Sequence, residues 1–249
     1  VTVLAVIFLF SIIILVHESG HYWAARLVGV HVISFNFGFG PILFSVTRNQ
    51  TLYALRALPF GGSVQLAGLD EITPSKVAKN KKYPDKNIWQ RFFILGAGSS
   101  MNIFLGYLII VILHLMKNYS LLTAVTRSFL KTGQFLVFFL KSLSAIFSPN
   151  FFEYVAGPIG IFSVSAQAAQ QGIAPYLGMM TLLTLNIGLL NLLPFPALDG
   201  GRIVFLFFEA VFRKKPSENV EKYVHLIGFM ILLALILYIS VQDVSRLLR

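Results

Sequence analysis

Cysteine is absent from the 249 residues, and charge is scarce, with 12% of positions being Asp, Glu, Lys or Arg. Without thiols the chain builds neither a disulfide framework nor a thiolate zinc site, so any bound metal must be held by nitrogen and oxygen. Low charge, 56% hydrophobic residues and a mean hydropathy of +0.76 group the chain with integral membrane proteins, since a soluble core of this length needs far less apolar surface. Acidic residues are scarcer still, ten against twenty Lys and Arg, for a formal charge of +10. The basic residues lie in connections between apolar runs. That pattern points to anionic membrane lipid and the cytosol as their partners and away from nucleic acid. The first residue is Val1, and the segment after the first apolar run keeps its own structural signals, so that run reads as a mature helix rather than a cleaved signal peptide.

What is present is length without interruption. Four stretches suit spanning helices, which need about 20 residues: 1–28, 92–116, 175–199 and 221–243. The connection between the first two, with its flanks, carries nine Lys and Arg against Asp70, Glu71 and Asp85. Arg202, Arg213, Lys214, Lys215 and Lys222 sit between the last two. The positive-inside rule puts both connections in the cytosol and both termini outside.

Residues 30–68 break into short β-rich runs, VISFNF, ILFSV, TLYALRAL and SVQLA, separated by Gly, Pro and Asn-Gln, and predict a small antiparallel sheet. An open sheet edge cannot face lipid, so this sheet must meet protein or water, or accept another strand. Residues 69–91 read as a mobile cytosolic loop, with Trp89 and Arg91 as interfacial anchors. Residues 120–172 mix apolar runs with Arg127, Lys131 and Lys141 and predict helices lying at the outer interface. The fold class is therefore a mainly α membrane protein: four transmembrane helices, a membrane-associated antiparallel sheet after the first, and interfacial helices before the third. No internal repeat is visible.

At the end of the first apolar run stands His17-Glu18-Ser19-Gly20-His21. On a helix, HExxH sets two imidazoles one turn apart on one face, beside a carboxylate able to serve as general base toward a metal-bound water. Each ionisable group in a spanning helix costs about 2.5–3.5 kcal/mol on insertion scales, so three within five residues call for a metal. The bland reading, a polar cluster that only packs helices, must bear that cost without one.

Two histidines need a third ligand from elsewhere. His31 reaches the site only by folding back, while His114 and Glu153 stand at the wrong depth. His225 and Glu209 fit on depth alone. Asp199 has the better setting, Asn186-Ile-Gly-Leu-Leu-Asn191-Leu-Leu-Pro194-Phe-Pro196-Ala-Leu-Asp199-Gly-Gly: two prolines end a spanning helix, and two glycines after the carboxylate permit close backbone approach.

HESGH, a glycine-containing hairpin and NLLPFPALDGG together make the chain resemble the site-2 family of intramembrane zinc metalloproteases, in its bacterial regulator-of-sigma-E protease branch. The likeness extends through GPIGI into the last helix. It implies zinc held by His17, His21 and Asp199, with Glu18 as the catalytic base. It also implies that Asn186 and the strand around Gly61, Gly62 and Val64 hold an unwound substrate. Asn102, Asn191, Pro194 and Pro196 are further candidates for supporting the site. Hydrogen-bond glue between helices is the competing reading for Asn186 and the favoured one for Asn191. Asn102 departs from the family pattern, because Gly96-Ala-Gly-Ser-Ser-Met precedes it where the family has Gly-Pro, and with Gly98 and Gly106 on its face it reads as packing. Only Lys117, Asn118 and Tyr119 stand where the family carries a PDZ module.

The activity so implied is zinc-dependent hydrolysis of peptide bonds within transmembrane segments. Its partners are single-pass membrane proteins, such as anti-sigma factors, or signal-peptide remnants. The location implied is the bacterial cytoplasmic membrane, with the active site toward the cytosol. The alternative from another class is a transporter or metal permease, against which stand the single ionisable cluster and the missing repeat.

Overall fold

The structure, a computed structural model, describes residues 2–69, 77–148 and 155–247. Glu153, Asp70, Glu71 and Lys76 lie outside the described residues. Helix α1 (Thr2–Val28) leads through Gly29, at φ 78°, into strands β1 (Val32–Arg48) and β2 (Thr51–Leu66). Then follow α2 (Ile88–Met116), α3 (Leu121–Ser142), α4 (Pro158–Gln170), α5 (Ile173–Asn191), α6 (Asp199–Phe212) and α7 (Glu218–Leu247). Helices α1, α2 and α5, with residues Asn219–Arg246 of α7, are long and apolar enough to cross a membrane. Exposed leucine, isoleucine and phenylalanine along α7 suit a lipid-facing surface.

Several boundaries differ from the sequence reading. The second spanning helix begins at Ile88, not residue 92, because Asn87 and Gln90 form a capping box: the Gln90 N–H donates to Asn87 Oδ1 at 2.8 Å and the Asn87 N–H to Gln90 Oε1 at 3.1 Å. Of the loop predicted over 69–91, residues 79–85 form two 3-10 turns with Tyr83 buried, and the Tyr83 N–H donates to the Ala67 carbonyl. Arg91 is no interfacial anchor. It is buried and pairs with Glu209 through both carboxylate oxygens, whereas Trp89 is exposed.

The third spanning helix ends at Asn191 rather than running to 199, since Pro194 and Pro196 cannot continue it. A tight loop with Ala197 at φ 75° turns the chain, and Asp199 opens the separate helix α6. The last helix starts at Glu218, ahead of the predicted residue 221.

Strands β1 and β2 pair as an antiparallel sheet joined by Asn49 and Gln50, both at positive φ. Residues Ser34–Phe37 face Leu52–Leu55 on one side and Gly62–Gln65 on the other. The run from Gly62 to Leu66 is thus outermost in the sheet. Gly62 lies against α1: a Cβ there would meet Glu18 Cγ at 3.0 Å and Ile14 Cγ2 at 3.2 Å.

Lipid gives apolar helices little reason to associate, so close packing and polar contacts hold them together. One buried cluster joins Leu9 and Ile13 of α1 to Ile109 of α2 and to Met180 and Leu183 of α5. A second joins Ala24, Ala25, Val32, Leu66, Ile94 and Leu206, locking the end of α1, the sheet, the start of α2 and α6 around one core. Helix α3 turns a stripe of Ala124, Ser128 and Thr132 inward, with Ser128 Oγ 2.8 Å from His114 Nδ1, and leaves Leu121, Leu122, Phe129 and Phe138 exposed. Near its C-terminal end α7 supplies Asp243, which accepts from the N–H groups of Gly157 and Gly160 and so caps α4.

Candidate metal centre

HESGH lies wholly within α1. Counting 1.5 Å per residue, His21 and His17 sit about 10 and 16 Å inside that helix from Val28, and Ile94 about 9 Å inside α2 from Ile88. Asp199 reaches the same place from α6. Gly200 and Gly201 permit this, because a Cβ at either would strike the carbonyl of Leu193 or Phe195, at 2.1 and 2.4 Å.

Three ligand atoms converge. His17 Nε2 and His21 Nε2 are 3.2 Å apart, and Asp199 Oδ2 is 3.2 Å from the first and 3.3 Å from the second. Tetrahedral zinc with bonds of about 2.0–2.1 Å sets its ligand atoms about 3.3 Å from one another, so the triangle fits that ion. Asp199 Oδ2 is also buried without a hydrogen-bond partner of good geometry. Among the described residues, His17, His21 and Asp199 are the group able to hold a metal.

Both imidazoles are oriented from behind. His21 Nδ1 lies 2.9 Å from the Ile94 carbonyl, which accepts its proton and leaves Nε2 for a metal. Gly98 makes room for that ring, since a Cβ there would stand 2.3 Å from His21 Nε2. Asn102 is fully buried with its amide 3.4 Å from His17 Nδ1. Its Oδ1 is a buried acceptor without a partner, and rotation of the amide sets that oxygen on the His17 Nδ1–H. Asn102 therefore does more than pack: it abuts a ligand, a contact that depends on how α1 and α2 meet and that residue spacing within α2 does not encode.

Glu18, next to His17 on α1, lies against the sheet, its Cγ 3.0 Å from where a Cβ on Gly62 would stand. Gly61 is held against Phe39, where a Cβ would overlap the ring, so its role in the sheet is steric. The Asn186 amide donates to the Leu182 carbonyl at 2.9 Å within its own helix, which argues against interhelical glue. Asn191 closes α5, and Pro196 packs against Gly228 of α7.

Three of the other candidate ligands have partners of their own. Glu209 pairs with Arg91, and His114 with Ser128. His225 Nδ1 accepts the Ala197 N–H at 2.8 Å, clamping the strained residue two positions before Asp199. Sequence reasoning weighed His225 only as a ligand and missed this positioning contact.

Together these features define a polytopic helical membrane protein with a candidate two-histidine, one-carboxylate metal centre and an adjacent glutamate. Residues 5–235 match the sequence profile of peptidase family M50, and the chain belongs to that family. It is similar to a putative zinc metalloprotease of Fusobacterium nucleatum, 28% identical with 99% of each chain covered. A putative zinc metalloprotease of Clostridium perfringens is 27% identical over 94% of this chain and 96% of its own length. The regulator of sigma-W protease RasP of Bacillus subtilis is 24% identical, again with 99% of each covered. That last alignment runs over 416 positions against 249 residues here, so the relative carries sequence this chain lacks. Among the described residues no PDZ module is present.

Proposed function

We propose that this protein is a zinc-dependent intramembrane endopeptidase that cuts transmembrane segments of single-pass membrane proteins or signal-peptide remnants. The observation that carries the reading is the ligand triangle of His17, His21 and Asp199 with Glu18 between it and the outermost strand of the sheet. Zinc, when bound there, supplies Lewis acidity and a water of pKa about 7. Glu18 takes a proton from the attacking water and returns it to the leaving amine.

A substrate helix hides its peptide bonds in its own hydrogen bonds, so it must unwind before it is cut. The run through Gly62 and Val64 offers backbone groups to an extended segment beside Glu18, and Asn186 adds a side-chain partner. An apolar cleft of about 900 Å³ along α1, lined by Leu4, Phe8, Leu15, Phe37, Ile173 and Tyr176, suits the part of the substrate that stays helical. The name of the Bacillus subtilis relative ties that protein to a sigma factor, which supports membrane-anchored anti-sigma factors as one substrate class. In this reading the protein resides in the bacterial cytoplasmic membrane with its zinc toward the cytosol.

The test is cleavage of a model transmembrane substrate in liposomes. Glu18→Gln is expected to lower the rate by about 10²–10⁴-fold while zinc stays bound. Undiminished cleavage by that variant would remove Glu18 from the chemistry.

A further inference from the structure

A second cavity, of about 720 Å³, opens beside the metal centre's support rather than on the centre itself. Its walls come from the turn at Lys82–Pro84, the first residues of α2, helix α6 and the beginning of α7. Among the described residues, five cations line it, Lys82, Arg91, Arg202, Lys215 and Lys222, against two carboxylates, Glu209 and Glu221. Glu209 is already committed to the Arg91 guanidinium. Lys215 Nζ donates to the Pro84 carbonyl at 2.8 Å, tying two of the walls together.

Among the described residues, two buried donors in these walls have no acceptor. Arg91 Nε is one. The other is His225 Nε2, which must carry the ring proton because Nδ1 accepts from Ala197. Glu221 Oε1 stands 4.0 Å from that nitrogen, beyond hydrogen-bonding range. An excess of positive charge with buried N–H groups left over calls for an anion rich in acceptor oxygens.

The cavity's level in the fold indicates which one. Spans α2 and α7 both begin near it, and Trp89, in the first turn of α2, is exposed, as at a membrane–water interface. Basic pockets between spanning helices at that level take lipid head groups.

We propose that this cavity binds the phosphate of an anionic phospholipid head group. The occupant would engage Arg202, three residues after the metal ligand Asp199, and lie beside His225, which clamps the Asp199 loop. The site does not depend on the peptidase reading, and its test is a binding measurement.

The full chain is placed in nanodiscs of phosphatidylcholine with a minority of phosphatidylglycerol, then released and weighed by native mass spectrometry. Retention of phosphatidylglycerol over phosphatidylcholine by about tenfold or more is expected, falling to parity in Lys82→Glu and in the double variant Lys82→Ala, Arg202→Ala. Lys131→Ala on α3 should keep the preference, and equal melting temperatures in pure phosphatidylcholine would show that the variants fold. Equal retention of both lipids by the unaltered protein, or a preference that survives Lys82→Glu, would overturn the proposal. Displacement of the lipid by millimolar inorganic phosphate would overturn the lipid assignment in favour of a free phosphate ion; retention through that challenge upholds it.

Discussion

His17, Glu18 and His21 were legible in the sequence because their meaning is local: a helix repeats every 3.6 residues, and four positions set two rings on one face. Asp199 was legible through its neighbours, two prolines before it and two glycines after. The contacts of Asn102 and His225 were not. Each acts on a residue far along the chain, His17 in one case and the Ala197 backbone in the other, and only the packing of helices brings them there. Asn102→Ala leaves the His17 ring without its partner, and zinc affinity is expected to fall about 10–100-fold in a chelator competition, with Asn102→Asp recovering part of it. Unchanged affinity in the alanine variant would reduce Asn102 to packing.

Among the elements, α6 was the least foreseen, because its charged start and apolar body read as the end of one span and a cytosolic loop. Its amphipathic course becomes intelligible once Arg91 is seen to reach it. The Arg91–Glu209 pair joins the beginning of α2 to α6, with both side chains nearly inaccessible to water. Removing one partner strands the other charge, so Glu209→Ala is expected to cost about 3–5 kcal/mol, read as a lower melting temperature in detergent. Hydrogen bonding to Arg91 holds the Glu209 carboxyl below its ordinary value. The sign follows: the pair's contribution is complete above the ordinary glutamate pKa and is lost as pH falls through the lower, folded value. The wild type should therefore lose stability on acidification, and Glu209→Gln should lose less of it over the same range. The capping box that starts α2 at Ile88 was readable as Asn-x-x-Gln, but the polar stretch before it masked the signal.

For the whole molecule, composition alone identified the solvent, since so little charge over so much apolar length excludes water on all sides. The count of four spans followed from that. The placement of the sheet against α1 did not, because β-rich runs carry no record of which helix they meet. Lack of cysteine makes topology simple to test by accessibility labelling. Single variants Lys82→Cys and Tyr119→Cys flank α2 on opposite ends, and a membrane-impermeant maleimide applied to intact cells is expected to mark position 119 and spare position 82. Labelling of both from one side would contradict a spanning α2.

The helix break before Asp199 also sets a timetable. His17 and His21 leave the ribosome early, whereas Asp199 follows only after helices α2 to α5, and His225, which holds its loop, lies on the last span. Synthesis proceeds at about 5–20 residues per second, so for many seconds the growing chain holds only half a metal site. The triangle of His17, His21 and Asp199 can therefore close only after α6 has begun, which makes the candidate metal site one of the last features of the fold to assemble.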